Sequence, residues 1–138
     1  MLRATPLLLL LLALLSLPSR PALASERCTT PRGVHTLSFS RAKYPNVRRH
    51  FRAAVRRGWP RTLVLNRPGA DARRDRLLDD VATRDGYDRD EYPPAVGRGR
   101  WRGDVRYVPS SENRSHGATM GNALRRLCDG TRFRYVFR

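Results

Sequence analysis

Apolar and polar positions alternate along this chain with two different periods, and those periods predict its elements. Val47, Phe51, Ala54 and Val55 recur at i, i+4, i+7 and i+8, a helical stripe opened by Pro45 or Asn46 and closed by Gly58. The opposite side of that helix carries Arg48, Arg49, Arg52, Arg56 and Arg57. These either follow a polyanion backbone or form a solvated face. A second helix over 70–82 turns Leu77, Leu78 and Val81 inward, with Asp79 and Asp80 paired to Arg73, Arg74 and Arg76 at helical spacing. Strand patterns cover 34–40, 62–65 and 131–138. In the last, Phe133, Tyr135 and Phe137 alternate with Arg132, Arg134 and Arg138, which predicts a half-buried strand.

The segment between these elements predicts a strand–strand–helix run. Residues 86–92 form a strand cut off by Pro93-Pro94. A Gly- and Arg-rich loop at 97–103 reverses the chain, and 104–108 form a second strand. A helix then runs from about 111 to 127, with Ser110 or Ser111 as its N-cap and Asp129-Gly130 beyond its end. The fold class is therefore α+β in one small domain, residues 25–138.

The first 24 residues are expected to be a secretory signal peptide. Arg3 is followed by an apolar run from Leu7 to Leu17 and by Ala22-Leu23-Ala24, a small-x-small cleavage site. The run is short for a membrane span and is soon followed by Pro18 and Pro21, so no stable membrane association is expected after cleavage. The same export makes Cys28 and Cys128 a predicted disulfide. Neither cysteine has the further Cys or His neighbours of a zinc site.

Charge changes the picture more than composition does. The formal net charge is +16, which loss of Arg3 and Arg20 with the leader lowers by two, and every basic side chain except Lys43 is arginine. Guanidinium groups make bidentate contacts to phosphate, so nucleic acid is the expected partner and binding is expected to weaken with salt. Against this background, Asp88, Asp90 and Glu91 crowd into Gly86-Tyr87-Asp88-Arg89-Asp90-Glu91-Tyr92-Pro93-Pro94. Carboxylates repel the phosphates that the arginines attract, and a divalent cation resolves the conflict by binding both. Alternation along a strand points Asp88 and Asp90 to one side and Arg89 and Glu91 to the other.

The blocks Gly-Tyr-Asp-Arg-Asp-Glu-Tyr-Pro at 86–93, Asp-Val-Arg-Tyr-Val at 104–108, Ser-Glu-Asn-Arg at 111–114, Met-Gly-Asn at 120–122 and Asp-Gly-Thr at 129–131 follow in order. Together they resemble the secreted bacterial NucA/NucB deoxyribonucleases, from about Phe39 to the C-terminus. The resemblance implies a ββα-metal motif and a secreted, extracellular endonuclease of little sequence specificity. The expected cofactor is one Mg²⁺ or Mn²⁺, the substrate is DNA bound through its backbone, and the protein is expected to be a monomer.

By that resemblance Asp90 is the catalytic carboxylate, with Glu91 as the alternative general base. Asp90, Glu112 and Asn113 are the expected metal ligands, Glu112 standing where the family has aspartate. Arg89 and Arg114 flank the acidic blocks and are placed to stabilise charge on phosphate. His116 replaces a small residue of the family and is a candidate to assist at the substrate. Asn122 is expected to support the site by a hydrogen bond rather than to ligate. Two rival readings remain at this point: a cationic nucleic-acid-binding or antimicrobial protein without catalysis, and a secreted ribonuclease.

Overall fold

The computed structural model describes residues 28–138, so the expected signal peptide lies outside the described residues. The order of elements is β1 (His35–Phe39), α1 (Pro45–Arg56), β2 (Thr62–Val64), α2 (Ala70–Leu78), β3 (Tyr87–Tyr92), a 3₁₀ turn (Ala95–Gly97), β4 (Asp104–Pro109), α3 (Ser110–Leu124) and β5 (Arg132–Phe137). Each element predicted from periodicity is present, and the protein is a small α+β domain.

Two sheets divide the strands. β5 lies at the centre of the first, parallel to β1 and antiparallel to β2. Its alternation buries Phe133 and Tyr135 while Arg132 and Arg134 face out. The core forms around these rings from Leu37 and Phe39 of β1, Val47, Phe51 and Ala54 of α1, and Leu63 of β2. Tyr92, Val108 and Leu124 join the second sheet and α3 to it. Gly97 passes so close to this core that a Cβ there would stand 3.0 Å from the Phe133 ring and 3.1 Å from Leu63.

The second sheet is the antiparallel pair β3–β4, with Asp90 opposite Arg106 and Tyr92 opposite Asp104. α3 follows β4 without a connecting loop, Pro109 ending the strand and Ser110 starting the helix. The backbone N–H of Ser110 also donates to Gly86 O at 3.0 Å, fastening the first residue of α3 to the start of β3. The strand–strand–helix unit is thus continuous.

Beyond the end of α3, Cys28 and Cys128 form a disulfide with Cα atoms 4.9 Å apart. Thr29 reinforces it: its N–H donates to Arg126 O at 2.8 Å and its carbonyl accepts from Cys128 N–H at 2.9 Å. Among the described residues no helix is long and apolar enough to cross a membrane.

Several local expectations are corrected. Neither Ser110 nor Ser111 is the N-cap of α3. Pro109 holds that position without a side-chain cap, and the Ser110 hydroxyl is engaged with Asp88. α2 ends at Leu78 rather than near 82, and its arginines do not serve Asp79 and Asp80. Arg73 donates to the carbonyls of Asn66 and Ala95, Arg74 to Glu91, and the Arg76 guanidinium lies 4.9 Å from the Trp101 ring centroid. Carbonyls and a buried carboxylate outcompete an exposed aspartate, because an exposed pair gains little over hydration.

Candidate active site

β3 has two chemically different faces, and alternation along the strand produces them. Arg89 and Glu91 face α2. Arg89 Nη1 donates to Leu78 O at 3.0 Å and Val81 O at 2.7 Å, closing the C-terminal end of α2, where unpaired carbonyls carry partial negative charge. Glu91 is buried, with Oε1 2.6 Å from Arg74 Nε and Oε2 2.6 Å from Arg98 Nη2. Arg98 is itself 6 % exposed and also donates to the carbonyls of Pro93 and Arg73. Glu91 and Arg98 therefore make a buried ion pair that pins the turn after β3. Removing either partner would strand the other's charge.

Asp88 and Asp90 face α1 and α3. Asp88 Oδ1 accepts from Ser110 Oγ at 2.7 Å, and Arg114 grips both oxygens, Nε to Oδ2 at 3.0 Å and Nη2 to Oδ1 at 3.1 Å. Hydrogen bonds from Arg114 and Ser110, with a smaller contribution from the Asn113 amide, hold the Asp88 carboxyl below the usual carboxylate range. The first turn of α3 is thus tied to β3 through Asp88. Arg114 stays largely exposed with one guanidinium edge on that carboxylate.

Asp90 is held by a residue that the sequence did not single out. His50, buried on α1, brings Nδ1 to 2.6 Å from Asp90 Oδ2 and Nε2 to 3.2 Å from Asp104 Oδ1. Asp104 in turn accepts from Arg57 Nε at 2.8 Å and from Arg57 Nη2. The signal for His50 was its position three residues after Val47 and four before Ala54, on the apolar stripe of α1, where a polar ring needs partners.

Asn113, Arg114 and His116 of α3 join Tyr87, Asp88, Arg89, Asp90 and Glu91 of β3 around one cleft of about 420 Å³, with Arg74 of α2 at its other wall. Glu112 points from α3 toward the start of α1, where Oε1 accepts from the backbone N–H groups of Asn46 and Val47 at 2.7 and 2.9 Å, and Oε2 from Asn46 Nδ2 at 2.7 Å. A carboxylate at a helix N-terminus satisfies donors that have no partner within the helix. With two bonds on Oε1 and one on Oε2, one further lone pair stays open on Oε2. His116 is 5 % exposed and packs against the rings of Phe39, Tyr44, Tyr135 and Phe137. Its Nε2 is buried with no hydrogen-bond partner, and burial lowers its pKa against the opposing pull of the Asp90 and Glu112 carboxylates. Asn122 does not reach this cleft. It lies on the exposed side of α3 and accepts from Arg125 Nη2.

Among the described residues no three His, Cys, Asp or Glu side chains are arranged as a ready metal cage. The oxygen donors that line the cleft beside Arg114 are instead sparse, the carboxylates of Asp88 and Asp90 with the Asn113 amide, while Glu112 is turned to the start of α1. Such a set fits a hard cation that keeps several waters, since Mg²⁺ is commonly held by one or two carboxylates together with substrate phosphate.

No family model matches the chain. It is 35 % identical over 98 residues to a DNA-entry nuclease of Bacillus subtilis (strain 168), an alignment that covers 70 % of this chain and 67 % of that protein. This chain belongs to the NucA/NucB family. In this NucA/NucB chain, the acids of the 86–93 block and Asn113 and Arg114 of the 111–114 block, distant in sequence, stand around one cleft. The two departures noted at the sequence level, Glu112 and His116, both lie on α3 and both face inward, toward α1 and the aromatic core respectively.

Proposed function

We propose that this protein is a nuclease that hydrolyses phosphodiester bonds of DNA, using one divalent cation, Mg²⁺ or Mn²⁺. Family membership supports action on DNA. The observation that carries the catalytic reading is the joining of β3 to the first turn of α3, which brings Asp90 and Asn113 to one cleft rimmed by arginine.

In this reading Asp90 orients the attacking water and takes its proton. With Oδ2 engaged by His50, acceptor capacity remains on Oδ1. A carboxylate is already ionised at neutral pH and is ready as a base without prior deprotonation. Asp90 and Asn113 would hold the cation, with Glu112 joining through water from the open lone pair of Oε2; when bound the cation supplies Lewis-acid polarisation of the phosphate and stabilises the leaving 3′-oxygen. Arg114, largely exposed beside the cleft, is the side chain suited to the phosphate. Arg89 and Glu91 also line the cleft, but Glu91 is held between Arg74 and Arg98 and Arg89 by the carbonyls of Leu78 and Val81, which favours Asp90 over Glu91 as the general base. Arg48, Arg49, Arg52 and Arg56 line a groove along α1 that suits a polyanion backbone without reading its sequence. Residues 1–24 belong to the same reading as an export signal, placing a monomeric enzyme outside the cell.

Plasmid nicking tests the proposal. Wild-type protein is expected to cut, to stop in EDTA and to resume with Mg²⁺ or Mn²⁺. Asp90→Ala is expected to lose about 10²–10⁴-fold in rate while still retarding DNA on a gel. A protein that retards plasmid but never cuts it, whatever the metal, would be a cationic binder. Equal cutting by Asp90→Ala would remove that residue from the chemistry.

A further inference from the structure

The buried polar chain beneath the cleft is more elaborate than core packing requires. His50 is 2 % exposed, yet it carries a carboxylate on each ring nitrogen, Asp90 at 2.6 Å and Asp104 at 3.2 Å. The β3–β4 register explains how one ring reaches both. Tyr92 lies opposite Asp104, so Asp90 and Asp104 are diagonal neighbours on the same face of the hairpin, the face covered by α1. Arg57, immediately after the last residue of α1, fixes the far carboxylate through two nitrogens. The chain therefore runs Arg57–Asp104–His50–Asp90 from the surface to the cleft.

We propose that His50 is a positioning residue for DNA hydrolysis, acting by holding the Asp90 carboxylate in one orientation through Nδ1 while Asp104 and Arg57 hold the other edge of the ring. This rests on Asp90 being the reacting carboxylate. A carboxylate on a strand turns freely about its terminal torsion unless one oxygen is tied, and such turning would move the other oxygen away from a bound water or cation. A tie at Oδ2 removes that freedom. Partners of this kind, bonded to the groups that touch metal or water, commonly change metal affinity or activity by about 10–100-fold when removed.

Two substitutions separate the two bonds. Asparagine places its side-chain amide where Nδ1 stands, and glutamine reaches to the position of Nε2. His50→Asn is expected to keep the tie to Asp90 and to stay within about tenfold of wild-type kcat, whereas His50→Gln is expected to lose about 10–100-fold. KM for DNA should change little in either. Mn²⁺ affinity, read by calorimetry on protein without DNA, should weaken in His50→Gln more than in His50→Asn. Thermal midpoints are measured beside these.

If activity falls in proportion to the midpoint, or if His50→Gln matches or exceeds His50→Asn, the inference is overturned. Should His50→Gln not fold, the isosteric Asp104→Asn decides. A severalfold drop in kcat at an unchanged midpoint supports the chain, and an unchanged kcat refutes it. The parallel Asp90→Ala measurement keeps the two readings apart. An active Asp90→Ala defeats the assignment of Asp90, while an inactive one beside fully active His50 variants defeats only the role of His50.

Discussion

His116 is the residue at which local environment most changes what its type would suggest. A histidine lining an acidic cleft invites an acid–base role, but this ring is buried among Phe39, Tyr44, Tyr135 and Phe137, and burial lowers its pKa. The charges facing it are Asp90 from β3 and Glu112 from its own helix, with the Tyr44 and Tyr135 hydroxyls nearby on neutral side chains; the two carboxylates oppose the shift without reversing it. The linkage then has a definite sign. The folded state binds the proton less readily than the unfolded state, so the stabilisation is fully present above the unfolded value of about 6.5 and is lost as pH falls through the depressed folded value. The melting midpoint should therefore drop as pH is lowered from about 8 to about 5, and His116→Phe should flatten that part of the curve. A slope unaltered by the substitution would assign the pH dependence to other groups.

At the scale of elements, the 3₁₀ turn after β3 is packed closely on the core. Gly97→Ala would drive a methyl group to 3.0 Å from a fully buried phenylalanine ring and to 3.1 Å from Leu63, so both side chains would have to shift. We expect a loss of about 1–3 kcal/mol in chemical denaturation, with nicking by the remaining folded protein unaffected. Elements were legible in the sequence because periodicity is a local property: the α1 stripe and the β5 alternation are visible in any short window. The division of β3 into two faces was legible for the same reason. What each face packs against was not, because that depends on α1 and α3 covering one side and α2 the other. Burial of Arg98, the turn of Glu112 toward α1 and the tie between His50 and Asp90 escaped for this cause, since each joins residues that are distant in sequence or hides a polar group on an apolar stripe.

For the whole molecule, neither cysteine of the disulfide lines the cleft. Cys28–Cys128 closes a loop with a sequence separation of 100. In the chain-entropy model such a loop contributes up to about 4–5 kcal/mol, acting mainly on the unfolded chain. Reduction is therefore expected to lower the denaturation midpoint while leaving the rate of DNA cutting per folded molecule nearly unchanged. A fall in that rate at low temperature, where the reduced protein is still folded, would show that the bridge shapes the cleft as well. The strongly positive surface acts on the same whole-molecule scale. Such a surface concentrates polyanions without choosing a sequence, so any specificity has to come from the cleft.

The direct passage from Pro109 to Ser110 has a consequence for how this protein can vary. A helix advances by about 100° per residue, so its rotational phase is inherited from the strand before it. One extra residue at that junction would swing Asn113 away from Asp88 by more than a quarter turn, whereas lengthening the exposed bend around Gly99 and Arg100 leaves that phase untouched. Insertions and deletions in this chain are therefore free on one side of β4 and forbidden on the other, a reading frame for geometry as strict as the one for codons.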